Sequence, residues 1–313
     1  MNLVHRVFYG PRELRAGWRL LFFLGICIVL GLVVVTLSSP LRGHLNTEES
    51  RAIARTLGNL IPLLAAGVLM AKFEGRRMAD YGLPWRQSLG RQVWQGALIG
   101  FPIITALVAA LHLSGVLSFT EGTPQGPLIS LYAVGYALFF VLGALFEEFS
   151  CRGYLLFTLT TGIGFWPAAV LSSIFFGLLH RANPGETLFG CFSTGVFGLL
   201  FCLMLRRSGN LWMPIGFHAA YNWGEAFFYG TPDSGFLAPE RFLTAKLSGP
   251  VWLTGGSAGP EGSYLCVAIL ALVGVGIGLW LRTKKFPDPA ALRPSPRAIL
   301  VAPGGAGLTS PPI

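Results

Sequence analysis

Charge is scarce in this sequence. Asp, Glu, Lys and Arg make up 12% of the 313 residues, whereas about 25% is usual for a soluble domain. Hydrophobic residues make up 53% and the mean hydropathy is +0.61. This composition argues against a water-soluble globular domain, and several apolar runs approach the roughly 20 residues that cross a bilayer as a helix. The sequence therefore predicts an all-α, polytopic helical membrane protein.

Other signals are missing as well. The five cysteines form no C-x-x-C pair and all lie in apolar segments, so we expect them to pack as small apolar side chains. The H-E-x-x-H motif of zinc proteases is absent. The formal charge of +9 does not indicate a nucleic-acid partner, because the basic residues gather at the ends of apolar segments, as membrane anchoring requires.

Eight apolar segments predict membrane spans. They cover residues 18–37, 52–71, 92–117, 128–159, 165–181, 187–205, 211–229 and 263–281. The fourth segment is too long for one straight span, so we expect it to be tilted, kinked or partly interfacial.

The basic loops predict the orientation. Cytoplasmic loops are enriched in Lys and Arg, so we expect the loop 72–91, the pair Arg206–Arg207 and the cluster in residues 282–285 to be cytoplasmic, together with both termini. The loop 230–262 is rich in Gly and Pro and mixed in charge, and we expect it on the other side.

Three ionisable groups follow an apolar run in "FEEFSCRG", residues 146–153. A charge at mid-bilayer costs about 3 kcal/mol, so such groups usually face a bundle interior and mark a functional site. Glu148 and Arg152 are four residues apart, which puts them on one helix face where they can pair. Glu147 is turned away by about 100°. We therefore predict that Glu147 is left available as a general base.

Two further polar motifs lie on later apolar segments. His180 ends "FGLLH", four residues after Phe176, and "HAAYN" places His218 and Asn222 four residues apart. Each pair shares a helix face. Together with Glu147, these residues supply a base and hydrogen-bond donors for a developing oxyanion.

The three motifs, E-E-x-x-x-R, F-x-x-x-H and H-x-x-x-N, occur in this order on hydrophobic helices. They resemble the CPBP family of CAAX-protease and bacteriocin-processing membrane enzymes, also called the Abi family, which includes the type II CAAX prenyl endopeptidases. The resemblance covers residues 128–229. It implies an intramembrane endopeptidase that cuts a peptide or protein, lipidated or hydrophobic, near the cytoplasmic membrane face.

The resemblance also implies roles for individual residues. Glu147 looks like the catalytic base that activates a water molecule. His180 is similar to the histidine that holds or polarises that water. His218 and Asn222 look like the pair that stabilises the oxyanion.

Glu148 and Arg152 resemble the structural or orienting members of the first motif. The sequence leaves a zinc-dependent mechanism open, since Glu147, His180 and His218 are a His₂Glu ligand set. We favour a reaction without a metal cofactor, because the asparagine that shares a face with His218 is an unlikely zinc ligand.

Alternative functions also stay open at this stage. Buried acids and histidines relay protons or ions in transporters, although the sequence has no inverted repeat of the kind found in many of them. A Cys151–His180 nucleophile pair and a non-catalytic immunity factor with the same fold are two more alternatives. The partners that we expect are the lipid bilayer and the substrate, with no nucleic acid, and in a bacterium the protein would lie in the plasma (inner) membrane.

These patterns divide the chain into four parts. They are N-terminal transmembrane helices (1–127), a catalytic core (128–229), an extracytoplasmic loop with the last helix (230–285), and a disordered Pro/Gly-rich tail (286–313).

Overall fold

A computed structural model gives the fold as a bundle of helices. It describes residues 14–40, 47–120 and 128–288, together with residues 8, 126 and 292. The helices are α1 (Ala16–Ser38), α2 (Glu48–Glu74), α3 (Arg91–Leu113), α4 (Ile129–Glu148), α5 (Leu156–Ile163), α6 (Phe165–Leu179), α7 (Leu188–Ser208), α8 (Trp212–Asn222) and α9 (Tyr264–Trp280). Two π-helical segments, π1 (Phe149–Leu155) and π2 (Trp223–Phe228), continue α4 and α8. Short helical turns lie at Met78–Tyr81, Trp85–Gln87, His180–Ala182, Val251–Thr254 and Pro260–Gly262.

Two short strands are added to this helical fold. Strands β1 (Leu117–Thr120) and β2 (Thr244–Leu247) pair antiparallel, with Leu117 opposite Leu247. They tie the chain that follows α3 to the 230–262 loop.

The predicted polytopic membrane fold is confirmed. All eight predicted spans are helical, and six helical stretches in the described part of the chain are long and apolar enough to cross a bilayer. The remaining two are shorter. Helix α8 has 11 residues and is continued by π2, and α9 has 17. Length and hydropathy therefore identify six of the eight predicted crossings, and α8 together with π2 spans 17 residues, the same as α9.

The expected break in the long fourth segment is confirmed. The kink lies in π1, where Gly153 leaves helical geometry (φ −80°, ψ −111°). A Cβ at Gly153 would lie 2.5 Å from the ring of Phe149. That ring also packs against Gly67 of α2, where a Cβ would lie 2.7 Å away. Two glycines thus make room for one buried aromatic ring at the point where the helix bends.

Helices α3 and α8 pack backbone against backbone. A Cβ on Gly96 or Gly100 of α3 would lie 2.0 or 2.2 Å from a main-chain oxygen of α8, and a Cβ on Gly216 would lie 2.0 Å from one on α3. Without a hydrophobic driving force inside a bilayer, such small residues allow close van der Waals contact between helices. The G-x-x-x-G spacing of Gly96 and Gly100 therefore determines where α8 sits.

A buried ion pair joins the first two helices. Arg19 is 1% exposed and Glu74 is 8% exposed, and the guanidinium donates to both carboxylate oxygens at 2.9 and 2.6 Å. The hydroxyls of Tyr81 and Tyr154 donate to the same carboxylate at 2.9 and 2.5 Å. The charge of Glu74 is thus satisfied from α1, π1 and the turn after α2.

The predicted tail begins with packed residues. Phe286, its first residue, is 2% exposed, and its ring centroid lies 6.4 Å from that of Phe157. The packed chain therefore extends past the predicted boundary. Residues 289–291 and 293–313 lie outside the described residues.

The glycine contact between α3 and α8 predicts a selective stability loss. In Gly100→Val the new side chain would overlap the backbone of α8, at a cost of about 1–3 kcal/mol or more. Gly25→Val is the matched control, since an added Cβ on this exposed glycine of α1 has no atom within 4 Å. Thermal unfolding in detergent is the measurement, and equal midpoints for the two variants would contradict the packing argument.

Candidate active site

One cavity of about 410 Å³ contains all four residues with predicted chemical roles. It lies between α4, α6, α7, α8 and the 230–262 loop, and Glu147, His180, His218 and Asn222 all line it. If the predicted spans were straight helices, His180 and His218 would lie at different depths in the membrane. Both nevertheless pack against Phe176, with ring centroids 4.6 Å away for His180 and 6.5 Å for His218. The bent and shortened helices bring the two histidines to one site.

Glu148 is completely buried, with an exposed fraction of 0%. Its Oε1 accepts from Arg152 Nη1 at 3.3 Å and lies 3.0 Å from His218 Nδ1. The Arg152 guanidinium stands 3.9 Å above the Phe176 ring. Gly198 of α7 leaves room for it, because a Cβ there would lie 2.7 Å from Arg152 Nη2. The expected Glu148–Arg152 pair is present. Glu148 also contacts His218, and the sequence did not indicate this contact.

The two nitrogens of His218 have different neighbours. An ionised carboxylate only accepts hydrogen bonds, so Nδ1–H donates to Glu148. Nε2 lies 3.7 Å from Oε2 of Glu147, which is longer than a hydrogen bond. The formal charges of Arg152, Glu148, Glu147 and a doubly protonated His218 sum to zero. In that state Nε2–H is free to donate to an oxygen in the cavity.

Glu147 differs from its neighbour in exposure and pairing. Its side chain is 35% exposed, whereas that of Glu148 is 0% exposed. The Oε2 atom of Glu147 is buried and has no hydrogen-bond partner among the described residues. Glu147 is therefore the one of the two adjacent acids that is exposed to the cavity and not held by a hydrogen bond from a described residue.

His180 and Asn222 complete the polar lining. His180 Nδ1 lies 2.8 Å from the carbonyl oxygen of Phe176, and because a carbonyl only accepts, Nδ1 carries a proton; in a neutral ring Nε2 is then the acceptor nitrogen. The half-buried amide of Asn222 makes no hydrogen bond to another described residue. With His180 neutral, the site thus offers an acceptor nitrogen, a carboxylate that accepts no hydrogen bond from a described residue, and the amide donors of Asn222.

The zinc alternative requires Glu147, His180 and His218 to converge on one point. Their candidate ligand atoms do not all lie within 4.8 Å of one another, and Nδ1 of His218 is already engaged by Glu148. This arrangement does not fit a single zinc ion held by all three side chains.

A second cavity of about 220 Å³ adjoins the first. Glu147 and His180 line both cavities, and Ser150 and Cys151 line the second one. No hydrogen bond joins Cys151 to His180 among the described residues. Glu147 and His180 thus stand between two compartments.

An acidic group that the sequence motifs did not indicate lies beside the site. Glu225, the first acid after the H-x-x-x-N motif, is completely buried, at 0% exposure. It meets Asp233 and Glu261, both of which line the larger cavity. Only its position three residues after Asn222 could have pointed to it.

One serine-hydrolase spacing also occurs in the chain. Residues 255–259 read "GGSAG", which matches G-x-S-x-G. Ser257 is exposed in the 230–262 loop and not at a strand-to-helix turn, and it is not among the residues that line the larger cavity. The context that gives this motif its chemistry is missing.

A known family matches the part of the chain that contains the site. Residues 128–224 match the family described as type II CAAX prenyl endopeptidase Rce1-like. This range includes the three motifs and all four candidate catalytic residues, and it confirms the resemblance predicted from them. The match supports a CAAX-type endopeptidase at the level of the family only, because it covers less than half of the chain. A comparison with curated proteins gives no match.

The ion pair of Glu148 with Arg152 predicts that a substitution at Glu148 lowers the stability of the protein and that a second substitution at Arg152 restores it. Glu148→Gln leaves the buried Arg152 without a counter-charge, which we expect to cost about 3–5 kcal/mol. The double variant Glu148→Gln with Arg152→Gln removes that charge and should regain most of the loss. Glu240→Gln is the control, because this acid accepts one hydrogen bond from Tyr136. Unfolding in detergent measures all four proteins, and equal stability of the single and double variants would contradict the pairing.

Proposed function

We propose that this protein hydrolyses a peptide bond in a lipidated or hydrophobic substrate, with a water molecule activated by Glu147. The observation that supports the proposal is a difference between the two adjacent acids in their side-chain partners. Glu148 is neutralised by Arg152, whereas Glu147 accepts no hydrogen bond from a described residue and faces a cavity that also contains two histidines and Asn222.

The reaction follows from the donors and acceptors of the site. Glu147 takes a proton from water, whose oxygen attacks the peptide carbonyl carbon, while the lone pair of His180 Nε2 accepts the other water proton as a hydrogen bond. The carbonyl oxygen becomes an oxyanion, and His218 Nε2–H and the Asn222 amide donate to it. Glu147 then passes its proton to the leaving nitrogen as the C–N bond breaks. The products are a carboxylic acid and an amine.

The walls of the larger cavity suit an apolar substrate. Six phenylalanine rings contribute to its lining: Phe139, Phe140, Phe176, Phe197, Phe201 and Phe236. The smaller cavity gives a second route to Glu147 and His180. The family match supports a peptide or prenylated protein substrate. The chain is rich in Arg and poor in Lys, which we associate with a bacterial source. Because most bacteria make no prenylated protein, an unprenylated hydrophobic peptide is included in the proposal.

The competing mechanisms receive less support. A zinc-dependent protease needs three ligands that converge, and Glu147, His180 and His218 do not. A non-catalytic immunity factor would be free to lose motif residues, and all of them are present in this sequence.

The orientation of the site follows from the proposed topology. Ser193, near the start of α7, donates to the carbonyl oxygen of Glu261 at 2.5 Å, so the 230–262 loop covers the N-terminal half of that helix. The pair Arg206–Arg207 lies 13 residues further on, about 20 Å along the axis. If the basic end is cytoplasmic, the cavity opens toward the opposite side of the membrane. We therefore propose cytoplasmic termini and an extracytoplasmic site, in place of the expected cleavage near the cytoplasmic face.

Substitution of the proposed base predicts a loss of cleavage. Two fluorogenic peptides serve as probes in detergent, one farnesylated with a CAAX end and one identical without the lipid. Wild type is expected to cleave at least one of them, and Glu147→Gln should be slower by about 10²–10⁴-fold. Asn222→Ala should be slower by about 10²–10³-fold if its amide binds the oxyanion.

Glu240→Gln is the matched control and should cleave like wild type. Cleavage by Glu147→Gln at the wild-type rate would overturn the mechanism. Loss of activity with the zinc-selective chelator 1,10-phenanthroline, restored by zinc, would favour the metalloprotease instead.

Cysteine labelling tests the orientation. Ser257 in the loop and Thr283 beyond α9 are both exposed, and the native cysteines are buried or half-buried. In intact bacterial cells, a membrane-impermeant maleimide should label Ser257→Cys but label Thr283→Cys only after permeabilisation. Wild type gives the background. The reverse pattern would put the cavity on the cytoplasmic side.

A further inference from the structure

Three carboxylates converge next to the active-site cavity. Glu225 belongs to π2, Asp233 to a turn in the 230–262 loop, and Glu261 to the short helical turn before α9. One carboxylate oxygen of each lies within 4.8 Å of those of the other two. Asp233 and Glu261 also form part of the cavity wall. None of the three belongs to the motifs of the proposed hydrolase.

The carboxylate of Asp233 is buried without a partner. It is 5% exposed, and it forms no hydrogen bond or ion pair with any other described residue. Burial, reinforced by the nearby Glu261, raises the pKa of the Asp233 carboxyl well above its ordinary range. This is the expected cost of a buried negative charge with no counter-charge.

Glu225 is only half satisfied. Its Oε1 accepts from the backbone N–H of Glu261 at 3.3 Å, but its buried Oε2 has no hydrogen-bond partner. Glu261 accepts from the Ser234 hydroxyl at 2.5 Å. Within the described ranges, no Lys, Arg or His forms an ion pair with any of these three acids. The cluster therefore presents several buried oxygen acceptors to one small volume and has no cation of its own.

We propose that Glu225, Asp233 and Glu261 bind one hard divalent cation. An all-oxygen ligand set favours Ca²⁺, Mg²⁺ or Mn²⁺ over zinc or copper. Calcium suits the site best, because its bonds to oxygen are about 2.4 Å long and oxygens on opposite sides of the ion are then about 4.8 Å apart. Calcium also tolerates the irregular geometry of ligands drawn from three separate segments, whereas magnesium demands a near-ideal octahedron.

The cation would fix one wall of the active-site cavity. It would link π2, which directly follows Asn222, to the turn of residues 233–236 and to the start of α9. Asp233, Ser234 and Phe236 all line the cavity. Binding there would hold the loop against the helix that carries the proposed oxyanion donors. The proposed cation site does not depend on the proposed hydrolase reaction, so an experiment can contradict either proposal without contradicting the other.

Direct binding to the full-length protein tests the proposal. The protein in detergent is treated with EDTA, dialysed, and equilibrated with ⁴⁵Ca²⁺, while thermal unfolding is followed with added Ca²⁺, Mg²⁺, Mn²⁺ or Zn²⁺. Wild type should bind one calcium ion per chain and unfold at a higher temperature as calcium is added. Asp233→Asn and Glu225→Gln each remove one charged ligand with little change of shape, and each should weaken binding by about tenfold or more.

Glu240→Gln controls for loss of an acid from the same loop and should bind calcium like wild type. The proposal fails if the unfolding temperature of wild type does not respond to Ca²⁺, Mg²⁺ or Mn²⁺, since the cluster would then be neutralised by protons. It also fails if Asp233→Asn and Glu225→Gln bind calcium as tightly as wild type. Tighter binding of Zn²⁺ than of Ca²⁺ would contradict the assignment of a hard cation.

Discussion

The Glu148 carboxylate is the group on which the rest of the site depends. It is 0% exposed, so its charge must be compensated from within the protein. Arg152 supplies the counter-charge and His218 a second hydrogen bond. These two contacts fix the faces of π1 and α8 toward each other, and they leave Glu147 without a charged neighbour closer than the 3.7 Å to His218. Glu148 thus has a structural role, and the adjacent Glu147 is left for chemistry.

Small residues determine how closely this site is assembled. Gly96 and Gly100 let α8 approach α3 at backbone distance, and Gly198 leaves the space that the Arg152 guanidinium fills. In a bilayer the lipid tails are as apolar as the side chains, so close packing and buried polar contacts hold helices together in place of hydrophobic burial. The Arg19–Glu74 pair serves the same purpose at the N-terminal end of the bundle.

Much of the local structure follows from the sequence. The eight apolar segments are helical, because a run of apolar residues in a bilayer must satisfy its backbone hydrogen bonds internally. The pairing of Glu148 with Arg152 follows from their spacing of four residues. The burial of Glu225 does not follow, because Asp233 and Glu261 come from a loop without any periodic pattern. The hydrogen bond from His218 to Glu148 joins residues 70 apart, and no spacing rule reaches that far.

Composition and residue spacing are enough to predict the membrane class of this protein, the order of its motifs and the helix faces on which Glu147, His180, His218 and Asn222 lie. These properties depend on composition and on the 3.6-residue period of a helix, which are local. The fold, in contrast, brings the four residues to one cavity and places beside it three acids that form no ion pair with any other described residue. Those outcomes depend on the kink at Gly153, on the short α8 and on the path of the 230–262 loop. They arise from packing between distant segments, and the free energy of that packing is not encoded in any single stretch of residues.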